Sequence, residues 1–108
     1  MEESPLIVLV EDVFVCKFMR KVLERFSYRV IIATSEEATS LLRSGSAALV
    51  ITNTPGAFAE FGATVPLLYV AAFPEPAEAA AFRKWRSLRK PFGAAELTEL
   101  VRNLLEAV

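Results

Sequence analysis

Short, continuous apolar runs alternate along this chain with stretches whose apolar residues recur every three or four positions, and this alternation constrains the fold more than any other feature. Leu6-Ile7-Val8-Leu9-Val10 is a β-branched and leucine run stopped by Glu11-Asp12, as expected of a strand covered on both faces in a parallel sheet. Val15, Phe18, Met19, Val22, Leu23 and Phe26 then follow helical spacing, with Lys17, Arg20, Lys21, Glu24 and Arg25 on the opposite, wet face. Tyr28 to Ala33 is a second strand-like run. Thr34, with Glu37 three positions on, has the form of a capping box opening a helix through Leu42, and Gly45 supplies its stop. Ala47 to Thr52 reads as a third strand, and Asn53-Thr54-Pro55-Gly56 is a cluster of turn formers.

Val65 to Ala72 reads as a fourth strand. The alanine-rich stretch from Glu78 to Trp85, behind Pro74 and Pro76, has the composition of a fourth helix, with Phe82 and Trp85 turned to the core. Ser87-Leu88-Arg89 is short for a strand but leads through Lys90-Pro91-Phe92 into a terminal helix with the stripe Leu97, Leu100, Val101, Leu104, Leu105 and Val108. Between Asn53 and the fourth strand only about a dozen residues remain, so the third helix is expected to shrink to a turn around Ala57 to Phe61. The expectation is one α/β domain over residues 1–108, a doubly wound five-stranded parallel sheet with a reduced third helix. Ligand sites in such sheets lie beyond the carboxyl ends of the strands.

Composition narrows the chemistry. With 54% hydrophobic and 23% charged residues the chain has ample apolar surface for a packed core. Its apolar runs fall well short of the ~20 residues a membrane-spanning helix needs. The acidic start, Met-Glu-Glu-Ser-Pro, is unlike a signal peptide, and the expected location is the cytoplasm. A net charge of −1 offers no field for nucleic acid. Cys16 is the only cysteine and histidine is absent, which removes zinc clusters, internal disulfides and His-dependent triads. The chain is therefore not expected to be an enzyme.

The residues at the strand ends are more specific. Glu11-Asp12 follow the first strand, Asn53 the third, Ala71 and Ala72 close the fourth, and Lys90-Pro91 follow the fifth. In local sequence and in position this set resembles the receiver domain of response regulators, of two-component and phosphorelay systems, and the resemblance spans the whole chain. It implies a flavodoxin-like fold, an acid pair holding Mg²⁺ (Glu11, Asp12), an acceptor carboxylate after the third strand, a hydroxyl after the fourth, and a lysine (Lys90) that neutralises the phosphoryl group. Three positions depart from the family's pattern. Asn53 stands at the acceptor position, Ala71 at the switch hydroxyl, and Ser87 where an aromatic commonly stands. An amide is a poor nucleophile and a weak Mg²⁺ ligand, so Glu11 and Asp12 hold Mg²⁺ weakly at best.

What the resemblance then implies is a degenerate pseudo-receiver: an interaction or dimerisation module without a phosphorylation switch. The expected face is the fourth helix, fifth strand and fifth helix, with a signalling protein or a second copy of the chain as partner. The basic run Arg83, Lys84, Arg86, Arg89 and Lys90 lies near that face. Two alternatives stand beside it. One is phosphotransfer on a non-standard acceptor, Asp12, Glu11, Thr52 or Thr54. The other is a small-ligand sensor using the emptied space beside Ala71 and Ala72. Within the pocket, Asp12 has a second use as helix cap, and Lys90 is expected to pair with Asp12 or Glu11 in place of a metal.

Overall fold

The computed structural model describes residues 4–106. Five strands form one parallel sheet: β1 (Leu6–Val10), β2 (Arg29–Ile32), β3 (Leu49–Thr52), β4 (Leu67–Ala71) and β5 (Trp85–Arg89), in the spatial order β2-β1-β3-β4-β5. Three α-helices accompany them, α1 (Val13–Glu24), α2 (Ser35–Arg43) and α3 (Ala94–Leu105). The chain reverses direction across the sheet between β1 and β3, so the crevice above their carboxyl ends is the place for a site.

The period-two pattern divides each central strand between two cores. Ile7, Leu9, Leu49, Ile51, Leu68, Val70 and Leu88 face α1 and α3, whereas Val8, Val50, Leu67 and Tyr69 face α2 and two 3₁₀ segments. Both faces are covered, so β1, β3 and β4 read as unbroken apolar runs.

The helix termini follow their local chemistry. Asp12 caps α1, its Oδ1 accepting from the amides of Phe14 and Val15 at 2.9 and 3.3 Å. Thr34 and Glu37 form the reciprocal capping box of α2, and Gly45, at φ +78°, ends it in the left-handed conformation that glycine adopts without penalty. Val108, assigned by periodicity to the last apolar stripe, lies outside the described residues.

The third helix is reduced as expected, to the 3₁₀ segment Pro55–Phe61, in which Pro55, Phe58 and Phe61 still plug the core. Two expectations need correction. The fourth helix, expected over Glu78 to Trp85, is instead a single 3₁₀ turn, Pro76–Ala79, and Trp85 opens β5 opposite Leu67. Alanine gives helical propensity but little apolar surface, and helices this short depend on packing a wide stripe. Here only Ala79 and Phe82 are buried. The chain is tied down by other means: the Tyr69 hydroxyl donates to Glu78 Oε2 at 3.0 Å and accepts from the Glu75 amide, and the Arg83 amide donates to Gly62 O at 2.9 Å. Gly62 permits that approach, since a Cβ there would stand 2.1 Å from Ala81 O. β5 accordingly presents polar Ser87 and Arg89 where a fourth helix would have lain.

The second correction concerns α1. Cys16, Met19, Val22 and Leu23 are buried, but Phe18 and Phe26, which helical spacing assigned to the apolar face, are 42% and 58% exposed. Phe14, just before that stripe, is 76% exposed.

Candidate functional site

The carboxyl ends of β1, β3, β4 and β5 bring the strand-end residues together. Val10 is in register with Thr52, Thr52 with Tyr69, and Ala71 with Arg89, so Glu11, Asn53, Ala72 and Lys90 stand around one opening. The Lys90 amide donates to Ala71 O at 2.9 Å, extending the β4–β5 pairing by one residue, and the Lys90–Pro91 peptide is cis.

The charges in this opening are satisfied internally. Lys90 Nζ lies 2.6 Å from Glu11 Oε1; the Glu11 side chain is wholly buried and that of Lys90 is 30% exposed. Glu11 Oε1 takes no hydrogen bond of ordinary geometry, so the ammonium is what compensates it. Oε2 accepts from the Asp12 amide. The Glu11 carbonyl in turn accepts from the thiol of buried Cys16 at 3.4 Å. Burial pushes the Cys16 thiol up from its ordinary pKa, against the opposing pull of its hydrogen bond to the Glu11 carbonyl, and the charges of Glu11 and Asp12 add smaller rises. Asp12, occupied with the α1 amides, points its carboxylate at a helix N-terminus, where the macrodipole favours negative charge. Of the two acids offered by the sequence, Glu11 takes the lysine and Asp12 takes the cap.

The other side of the opening holds little chemistry. Asn53 and Thr54 are exposed, Ala71 is half-buried and Ala72 exposed. Thr52 is buried, and its hydroxyl accepts from the Thr54 amide at 3.1 Å and meets the Thr54 hydroxyl at 3.2 Å. Ser87 is exposed on β5. Arg89 reaches back over this side, its Nε donating to Ala72 O at 3.1 Å while its guanidinium lies 5.3 Å from the Phe73 ring centroid.

The residues present fit a divalent cation poorly. Among the described residues no three acidic, histidine or cysteine side chains converge on a common point. A Mg²⁺ ion here needs several free carboxylate oxygens, yet Glu11 is buried against an ammonium and exposed Asp12 commits Oδ1 to the helix cap, which leaves its second oxygen alone. Asn53 offers a neutral oxygen in place of a third charge.

The basic run proposed from sequence is largely consumed within the molecule: Lys84 donates to Glu106 O, Arg89 to Ala72 O, and Lys90 pairs with Glu11. A cavity of about 220 Å³ remains at the β5–α3 edge, lined by Arg83, Lys84, Trp85, Arg86, Asn103 and Leu104. Sequence reasoning missed a second surface. Phe14, Val15 and Phe18 of α1 border a depression of about 380 Å³ with Lys90, Pro91 and Phe92. Phe18 and Phe92 are 5.9 Å apart between ring centroids. The signal that could have found it is Phe14 and Phe18 at four-residue spacing, one helical turn apart beside the core stripe.

No family model matches the sequence, and no curated protein matches it. Solved structures do. A two-component response regulator from Clostridium difficile superposes with a TM-score of 0.77 at 19% identity, covering 94% of this chain and 96% of that one. A response regulator receiver protein from Sinorhizobium medicae gives 0.77 at 20% identity, covering 95% of each chain. The chemotaxis protein CheY4 from Vibrio cholerae gives 0.78 at 16% identity, covering 94% and 99%. The chain therefore has the flavodoxin-like receiver fold. No helix among the described residues is long and apolar enough to cross a membrane.

Proposed function

We propose that this chain is a receiver-fold signalling module of the two-component type that accepts no phosphoryl group and acts by binding protein, without catalysing a reaction. One observation carries the reading. The lysine that a phosphoryl group would require is already bound to a buried carboxylate, Glu11, while the neutral Asn53 stands at the position of attack. A carboxylate attacks a phosphoryl donor only when the gathered negative charge is offset by a metal and a fixed cation. Here the cation is committed, Glu11 is buried against it, one oxygen of Asp12 is spent on the helix cap, and an amide stands in place of the nucleophile. The reading carries no resident cofactor, and its setting is the cytoplasm.

The alternative acceptors find no support in the geometry. Glu11 is buried behind Lys90, Asp12 is tied to the α1 amides, and Thr52 is buried and bonded to Thr54. Thr54 is exposed, and the side-chain partner of its hydroxyl is the Thr52 hydroxyl, which is no base. The expected face built on a fourth helix reduces to β5 and α3, because that helix is one 3₁₀ turn. The test is intact-mass spectrometry after incubation with acetyl phosphate and Mg²⁺, on the native chain and on Asp12→Ala. No phosphoryl adduct is expected on either, and a stoichiometric adduct on the native chain overturns the reading.

A further inference from the structure

β5 closes the sheet on one side, and its outer edge is an open row of hydrogen-bonding groups. The Leu67 amide donates to Lys84 O and the Lys90 amide to Ala71 O. Backbone direction alternates along a strand, so Lys84, Arg86, Leu88 and Lys90 spend their backbone groups on β4, and Trp85, Ser87 and Arg89 turn theirs outward. Among the described residues no amide or carbonyl of those three has a partner. The 3₁₀ turn Pro76–Ala79 stands where a helix would flank this edge, and Arg86, Ser87 and Arg89 are exposed. An extended chain satisfies such a row directly, by adding itself to the sheet.

The charges beside the row say which strand fits. Arg83, just before β5, and Arg86, on its α3 side, are exposed, and among the described residues neither guanidinium has a partner. Both border the cavity of about 220 Å³ between β5 and α3, whose lining contains no acidic side chain. Lys84 beside them bonds a carbonyl, Glu106 O, rather than a carboxylate. Pairing β5 on β5 of a second copy sets the arginines of both chains along one edge, and like charges across a strand pair are destabilising. A strand that carries carboxylates is attracted by the same residues. We propose that the open edge of β5 is the docking site of an acidic, extended segment of a partner protein, which joins the sheet beside Trp85–Arg89 and sets its carboxylates against Arg83 and Arg86. This deepens the binding-module reading, on which it rests, by naming the mode of binding and the charge of the partner.

The test is amide NMR of the full chain titrated with the peptide acetyl-Glu-Val-Glu-Val-Glu-amide. Saturable shifts and slowed hydrogen exchange are expected at the amides of Trp85, Ser87 and Arg89, and not at Val30 or Ile32 on the opposite edge. The same peptide methylated on its backbone nitrogens keeps the charge and loses the donors, and is expected to bind about tenfold more weakly or worse. R83E/R86E is expected to weaken the acidic peptide by about as much and to favour its lysine counterpart, acetyl-Lys-Val-Lys-Val-Lys-amide. Ser87→Pro deletes an outward N–H that β4 does not use, and is expected to abolish binding. Circular dichroism checks that both variants fold. No saturable shift at low-millimolar peptide overturns the proposal, as do equal shifts from the methylated peptide or from inorganic triphosphate, which carries charge without a backbone. Shifts confined to another surface overturn it as well, while supporting the binding-module reading. The phosphoryl site is decided separately, by mass.

Discussion

The two sides of the crevice above the sheet differ in what they hold. On the β1 and β5 side, Glu11 and Lys90 form a buried ion pair, and Asp12 is fastened to the start of α1. On the β3 and β4 side, Asn53 and Ala72 are exposed and Ala71 is half-buried, with no charged side chain among them. Buried charge persists only when compensated, so the pair has a structural job whether or not chemistry occurs beside it. The exposed side has no such requirement.

The contrast can be broken most sharply at Lys90. Lys90→Ala strands a wholly buried carboxylate and is expected to cost about 3 kcal/mol in urea unfolding, the lower end for breaking a buried pair because the lysine is itself partly exposed. Glu11→Gln is expected to cost less, about 1–2 kcal/mol, since the freed ammonium can turn into water. Equal losses for the two variants would mean the pair is not asymmetric in the way its burial implies. Asp12→Ala removes the α1 cap without touching the pair, and about 1 kcal/mol is expected by the same measurement. Asn53→Asp, on the exposed side, is expected to move stability by less than about 0.5 kcal/mol. A loss comparable to that of Lys90→Ala would place Asn53 inside the charged network.

Much of this arrangement is legible in the residues. The uninterrupted runs Leu6–Val10 and Leu67–Ala71 fit strands covered on both faces, and Thr34 with Glu37 marks the start of α2 because the two side chains satisfy each other's backbone amides. The choice between Glu11 and Asp12 for Lys90 was open in the sequence. It is settled by a competing demand three-dimensional in origin, since the residue nearest the free amides of Phe14 and Val15 must cap them. The fourth helix was misread because alanines carry propensity without anchoring surface; Trp85 pairs in the sheet instead. Phe14, Phe18 and Phe26 were obscured by a different ambiguity. Helical spacing identifies an apolar face, but it does not say where the core ends and an uncovered seam begins.

The central claim is that the pocket is closed on itself. A titration with Mg²⁺ and beryllofluoride, followed by amide NMR, addresses it directly, because a phosphoryl mimic binds only where a metal, a carboxylate acceptor and a free ammonium converge. The expected result is no saturable shift at Glu11, Asn53 or Lys90. Saturable shifts centred on Asn53 and Lys90 would contradict it, showing that Lys90 leaves Glu11 and that the crevice opens to a phosphoryl ligand.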